Sequence, residues 1–197
     1  AYNTHYLGFN ANMLANEMFL DSSSLRSSVV SHAKTLGYVP SSARASKATV
    51  DVTLNTNDTS ATMPSGTVFN TTVDDVSYQF STISDVTKSN TGNTIPFVGV
   101  DIYEGSFITT RYTVDSSDVD QRFIITDNRA DTTTLTVKVQ TSSTDSSSNT
   151  FTEATDITQV TTGSNVYFLQ EVEAGLFEVY FGDGIIGTAL SDDNIVI

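Results

Sequence analysis

Residues 178–190 read EVYFGDGIIGTAL. Gly182, Gly184 and Gly187 spell G-x-G-x-x-G directly after a strand-like run, the spacing that lets backbone amides approach a dinucleotide pyrophosphate. That chemistry needs a strand buried on both faces, then the loop, then a helix whose N-terminus meets the phosphates. Here the preceding run alternates, with Phe177, Val179 and Phe181 on one face and Leu176, Glu178 and Tyr180 on the other, the pattern of a half-exposed strand. Ten residues follow Gly187 and close on SDDNIVI, a turn and then a strand. They hold neither a helix nor an acidic residue about twenty positions on. The stretch is therefore read as a structural turn: Asp183-Gly184 sits at its tight part, and Gly182, Gly184 and Gly187 give the backbone access to positive φ.

The other reactive groups are sparse. Asp183, Asp192 and Asp193, and Asp115, Asp118 and Asp120 in DSSDVD, are candidate calcium ligands by type. A hard cation needs six or more oxygens in a fixed arrangement, and the glycine and bidentate glutamate of a helix–loop–helix calcium site are missing at the required offsets. These aspartates read as turn residues. His5 and His32 are the histidines, and neither has a serine or aspartate pattern of nucleophile type. Glu171 and Glu173 alternate onto one strand face, where a solvent role is expected over acid–base work. There is no cysteine, which removes disulfides, thiolate metal sites and thiol nucleophiles together. No catalytic residue, cofactor site or metal site is assigned.

These groups sit in a chain of 197 residues with a net charge of −14. That field repels nucleic acid phosphates and anionic lipid heads, so neither nucleic acid nor membrane is an expected partner. No apolar run is long enough to span a bilayer, and no signal peptide pattern is present. Ser and Thr make up more than a quarter of the residues, a composition suited to strands and exposed turns. The chain stops on the apolar run NIVI, as if cut from something longer.

The elements divide at Pro40. FNANMLANEMFL reads as a short helix capped at Asn10. Asp21 or Ser22 can cap a second helix running to Leu36, with Leu25, Val29, Ala33 and Leu36 on its apolar face, Gly37 past its end and Pro40 blocking continuation. After Pro40 the period becomes 2. KATVDVTL places Ala48, Val50, Val52 and Leu54 on one face, and VSYQFS, FVGVDIY, SFITTRYTV, RFIIT and TLTVKVQ follow as strands, with TSSTDSSSNT as a polar hairpin loop. The expected fold is mainly β (α+β): short N-terminal helices packed on an antiparallel β sandwich or open barrel. Residues 1–40 form the helical segment and 41–197 the β region, with a break between two sub-domains near 115–121.

NANMLANEMFLDSSSLRSSVVSHAKTLGYVP, the Pro-Ser-Gly turn, RFIITDNRADTTTLTVKVQ, VYFLQEVEAGLFEVYFGDGIIGTAL and the closing NIVI together resemble the baseplate wedge proteins of contractile-tailed bacteriophages, within the broader baseplate J-like family. FGDG-x-x-G followed by NIV carries most of the likeness, and the helix ending in LGYVP comes next. The resemblance implies a structural subunit rather than an enzyme. Such proteins join other wedge subunits and copies of themselves into a ring around the tail hub, and rearrange when the sheath contracts. It implies a place in the virion, at the tail baseplate, after synthesis in the cytoplasm of the bacterial host. Family members are longer, and this chain matches their N-terminal portion. The parts that close the ring lie beyond the match, so the chain alone is expected to associate weakly.

Two other classes compete. A stand-alone adhesin or receptor-binding β domain would carry aromatic residues in its loops, but TSSTDSSSNT and NTNDTSATMP have none. A metal-dependent hydrolase would use the aspartate clusters, and metal analysis of protein purified without chelator separates that case.

Overall fold

The computed structural model describes residues 2–172 and 174–197. The described chain is mainly β with two helices, and it groups into two compact units: residues 44–110, and residues 1–43 together with 111–197.

In the 44–110 unit, β1 (Lys47–Asn55), β2 (Ser60–Met63), β3 (Val68–Val73), β4 (Val76–Ser81), β5 (Val86–Ser89) and β6 (Thr94–Glu104) form two antiparallel sheets, ordered β1-β6-β4-β3 and β2-β5. Ile95, Phe97, Val100 and Ile102 of β6 are buried, and Val50, Val52, Met63, Phe69, Phe80 and Val86 pack on them. The step of three from Phe97 to Val100 breaks the period of 2. The register shifts between Val50 and Val52, Gly99 takes φ +70°, and its amide donates to Asp51 Oδ1 at 2.7 Å. This bulge uses an extra residue to return Val100 to the inner face and leaves Val98 exposed. Leu54, expected on the inner face, is also exposed, although its ladder partner Ile95 is fully buried.

In the other unit, α1 (Tyr2–Glu17) and α2 (Arg26–Thr35) precede a sheet ordered β7-β13-β9-β10-β11-β12-β8. Its strands are β7 (Tyr112–Thr113), β8 (Phe123–Ile125), β9 (Val137–Gln140), β10 (Ser148–Glu153), β11 (Val166–Glu171), β12 (Phe177–Phe181) and β13 (Ile195–Val196). The sheet curls until its edges approach. The Tyr112 hydroxyl on β7 donates to the carbonyl of Ile124 on β8 at 2.6 Å, and the Tyr112 and Phe123 rings meet edge to face at 5.7 Å. Of the two expected β architectures, the nearly closed barrel is the one this sheet takes. Val137, Val139, Phe151, Tyr167, Leu169, Phe177, Val179 and Val196 fill it. Burial pushes the Tyr167 hydroxyl up to about 12.

Three local expectations are corrected. The sheet is not wholly antiparallel: β10 and β11 run parallel, pairing Thr152 with Val166 and Glu153 with Tyr167, and residues 154–165 carry the chain back between them. SFITTRYTV pairs only over Tyr112–Thr113; residues 106–110 group with the 44–110 unit and form no strand. The first helix begins at Tyr2, so Asn10 lies inside it rather than capping it.

Candidate interaction site

The glycine loop is built from its backbone. Gly182 forms an isolated parallel bridge with Ala189, and a Cβ placed there would collide with the Ile186 carbonyl oxygen and lie 2.6 Å from the carbonyl carbon of Gly187. Gly184 and Gly187 take φ of +87° and +81°, and the Gly184 amide donates to the Gly187 carbonyl at 3.1 Å. Asp183 Oδ1 accepts from the amides of Ile185 at 2.9 Å and Ile186 at 3.0 Å. Those two bonds, the one from Ile186 first, hold its carboxyl below the usual range. Asp183 thus receives two backbone bonds within the turn. The loop is also tied to its neighbours, with Gly187 N–H on the Thr161 carbonyl and Thr188 N–H on that of Ser164. Its strands differ from a simple hairpin: β12 lies between β11 and β8, while β13 lies between β7 and β9. The loop lifts Ile185 into solvent at 73% exposure beside the half-exposed Ile186. Its amides are occupied by Asp183 and by the Gly187 and Thr161 carbonyls, and the arrangement displays apolar side chains.

The helices present a second surface. α2 starts at Arg26 rather than Ser22, with Leu25 at the cap position and no side-chain bond of its own there. The capping acceptor comes from α1: Glu17 Oε1 receives the Ser24 amide at 3.0 Å and the Ser24 hydroxyl at 2.8 Å. The Ser28 hydroxyl and the Ser24 amide hold the Glu17 carboxyl down at about 2. The Glu17 carbonyl lies 3.0 Å from His32 Nε2, a second tie between the helices. The expected apolar face of α2 is rotated. Val30 is buried at 5% exposure and Val29 and Ala33 are half-buried, whereas Leu25 and Leu36 stand 51% and 75% exposed. α1 has no buried residue. Tyr2, Tyr6, Phe9 and Met13, at spacings of four, three and four, form an exposed stripe along it. The sequence reading missed this stripe by starting the helix at Asn10, although the 3.6-residue period of the aromatics was there to find.

One buried charge joins α2 to the barrel. Glu171 follows Tyr167 and Leu169 on the core-facing side of β11 and is 1% exposed, so the expected solvent role is corrected. Arg26 Nε and Nη2 donate to its two carboxylate oxygens, each at 2.8 Å. Glu173, its sequence companion, lies outside the described residues. Arg122 and Glu178 make a more exposed version of the same fork at 2.8 and 2.6 Å.

The aspartate clusters serve turns. Asp115 Oδ1 accepts the Ser117 amide at 2.9 Å and hydroxyl at 2.6 Å, and Asp192 Oδ1 accepts the Ser116 amide at 2.8 Å. Among the described residues no three His, Asp or Glu side chains are grouped to hold a metal ion, and no helix is long and apolar enough to cross a membrane.

Over 199 residues the chain is 29% identical to the baseplate wedge protein gp6 of Enterobacteria phage T4, a match covering 98% of this chain and 29% of the T4 protein. It is similar to a phage baseplate protein. The chain spans under a third of that relative's length. No family model matches it.

Proposed function

We propose that this chain is the N-terminal part of a wedge subunit in a contractile phage tail, one that works through protein–protein interfaces during tail assembly and sheath contraction and has no enzymatic activity. The observation that carries the reading is α1. A sixteen-residue helix with no buried residue, and with Tyr2, Tyr6, Phe9 and Met13 exposed, gains little packing from the rest of the chain, and burying that stripe against another helix would stabilise both. The partners are other wedge subunits and further copies of the full-length protein. The rigid loop carrying Ile185 and Ile186 supplies a second apolar contact, and the exposed Leu25 and Leu36 a third.

The test is Tyr6→Asp with Phe9→Asp in the full-length protein. The barrel should melt as in the parent, because neither side chain is buried. Complementation with this variant should yield few contractile tails, with the subunit missing from purified baseplates. Normal tails containing the variant in parental amounts would overturn the proposal.

A further inference from the structure

The β3–β4 hairpin outruns the sheet that anchors it. β4 registers against β6 only at Phe80 and Ser81, opposite Glu104 and Tyr103. Beyond that point β3 has no ladder neighbour except β4, out to the turn at 74–75. Two strands alone are at best marginal in water. The pairing also fixes two unlike faces. Phe69 and Phe80 are opposed and pack on the core. Thr71–Tyr78 and Val73–Val76 are the next pairs outward on the same face. Val73 and Val76 are 54% and 51% exposed, and Tyr78 is exposed beside them. The opposite face carries Asn70, Thr72, Ser77 and Gln79. The apolar face of the core therefore continues onto a projecting arm that no other strand of the 44–110 unit pairs with.

The tip adds a second observation. Asp74 and Asp75 take φ of +50° and +62°, the two-residue turn with both central residues left-handed. Asn-Gly is the sequence that adopts this turn with least strain, and two aspartates hold it at a cost. Residues 68–79 contain these two acids and no base.

We propose that the arm docks, tip first, into a different tail protein that presents an apolar groove rimmed by lysine or arginine. Tyr78, Val73 and Val76 fill the groove, and Asp74 and Asp75 meet the basic rim. A second copy of this chain fits poorly, since it brings its own net charge of −14 to an acidic tip. The identity of the surrounding assembly rests on the baseplate reading, whereas the arm's chemistry does not.

A photo-crosslinking benzoylphenylalanine placed at Tyr78 in the full-length protein tests this in purified, illuminated tails, with the same probe at exposed Val98 as the control position. The expected product joins Tyr78 to one other tail protein, at a peptide holding apolar residues and a lysine or arginine. Asp74→Asn with Asp75→Gly should raise the melting temperature while cutting that product roughly tenfold. Val73→Thr with Val76→Thr, which keeps strand propensity, should cut it as well. Three results overturn the arm proposal: no Tyr78 product above the Val98 control in tails that contain the protein, a product with this same chain alone, or undiminished yield in both variants. Absence of the protein from purified tails would overturn the baseplate reading instead, and the arm's partner with it.

Discussion

The loop at 182–187 and the turn at 73–76 reach similar ends by opposite means. Each carries the chain through left-handed backbone and lifts a pair of aliphatic side chains into solvent, Ile185–Ile186 in one and Val73–Val76 in the other. In the first, glycines take the positive φ values, and Asp183 turns inward to bind two amides. In the second, aspartates take the positive φ values themselves. An acid that braces a loop reads as structure. Acids that strain a turn, where Asn-Gly would relax it, need another reason to be there, and charge at a docking tip is one. The loop is thus built for rigidity and the turn for what its side chains meet.

Gly182→Ala should break this contrast most severely. The added Cβ meets backbone rather than a flexible side chain, so the loop must move as a whole. A loss of about 3 kcal/mol is expected. For a domain of this size that lowers the barrel's melting temperature by roughly 6–12 °C. An unchanged melting curve would show that the loop is loosely held after all.

Gly184→Val comes next. Its Cβ would find ordinary room, 3.6 Å from that of Ala189, so the cost arises from φ alone. About 1–3 kcal/mol is expected. The ordering of these two glycines separates steric crowding from backbone strain, and equal losses would erase the distinction.

Much of this contrast was legible in the sequence. Alternation in Phe177, Val179 and Phe181 located β12, and the failure of its context argued FGDGIIG down to a turn. Lys47–Thr53 and Val137–Gln140 were legible for the same reason, a period of 2 with one face apolar. What was not legible depends on distant neighbours. β13 falls in the NIVI run read as a strand, but of the longer SFITTRYTV run only the two residues of β7 that face β13 join the sheet. The parallel pairing of β10 with β11 leaves no local signature in six-residue strands. Glu171 looks like any solvent-facing strand acid until Arg26, 145 positions away in sequence, covers it. The rotated face of α2 has a similar cause: Leu25 and Leu36 share the stripe by spacing, but burial centres on Val30. VDDV carries no asparagine or glycine to announce its turn.

A milder probe acts on acids rather than glycines. Asp183 has its carboxyl pKa depressed in the folded loop, so its contribution is present above the ordinary value of 3.8 and is lost as pH falls through the lower, folded value. Titrating the Ile185 and Ile186 amide resonances should give a midpoint below 3.8. Glu17 offers the same sign in the helices. Its cap on α2 should persist from neutral pH down past 4.5 and fail only towards about 2, seen as a late loss of helical signal. An Ile185 midpoint at or above 3.8 would mean the two amide bonds are not populated in solution.

The smallest effect is a gain. In the turn, Asp75→Gly places the residue best suited to positive φ where a strained acid stands, at φ +62°. Glycine also has more freedom to lose from the unfolded chain, which offsets part of the relief. The net expectation is stabilisation of the 44–110 unit by about 0.5 kcal/mol. The same exchange in the other direction, Gly184→Asp, should destabilise the barrel, because its turn has no use for the charge and an Asp already sits beside it at 183. If Asp75→Gly instead destabilises the isolated chain, the carboxylate is serving the turn itself, and the contrast between a structural loop and an exposed, functional tip does not hold. The measurement is a pair of melting curves on the chain alone, where no partner can reward the acid.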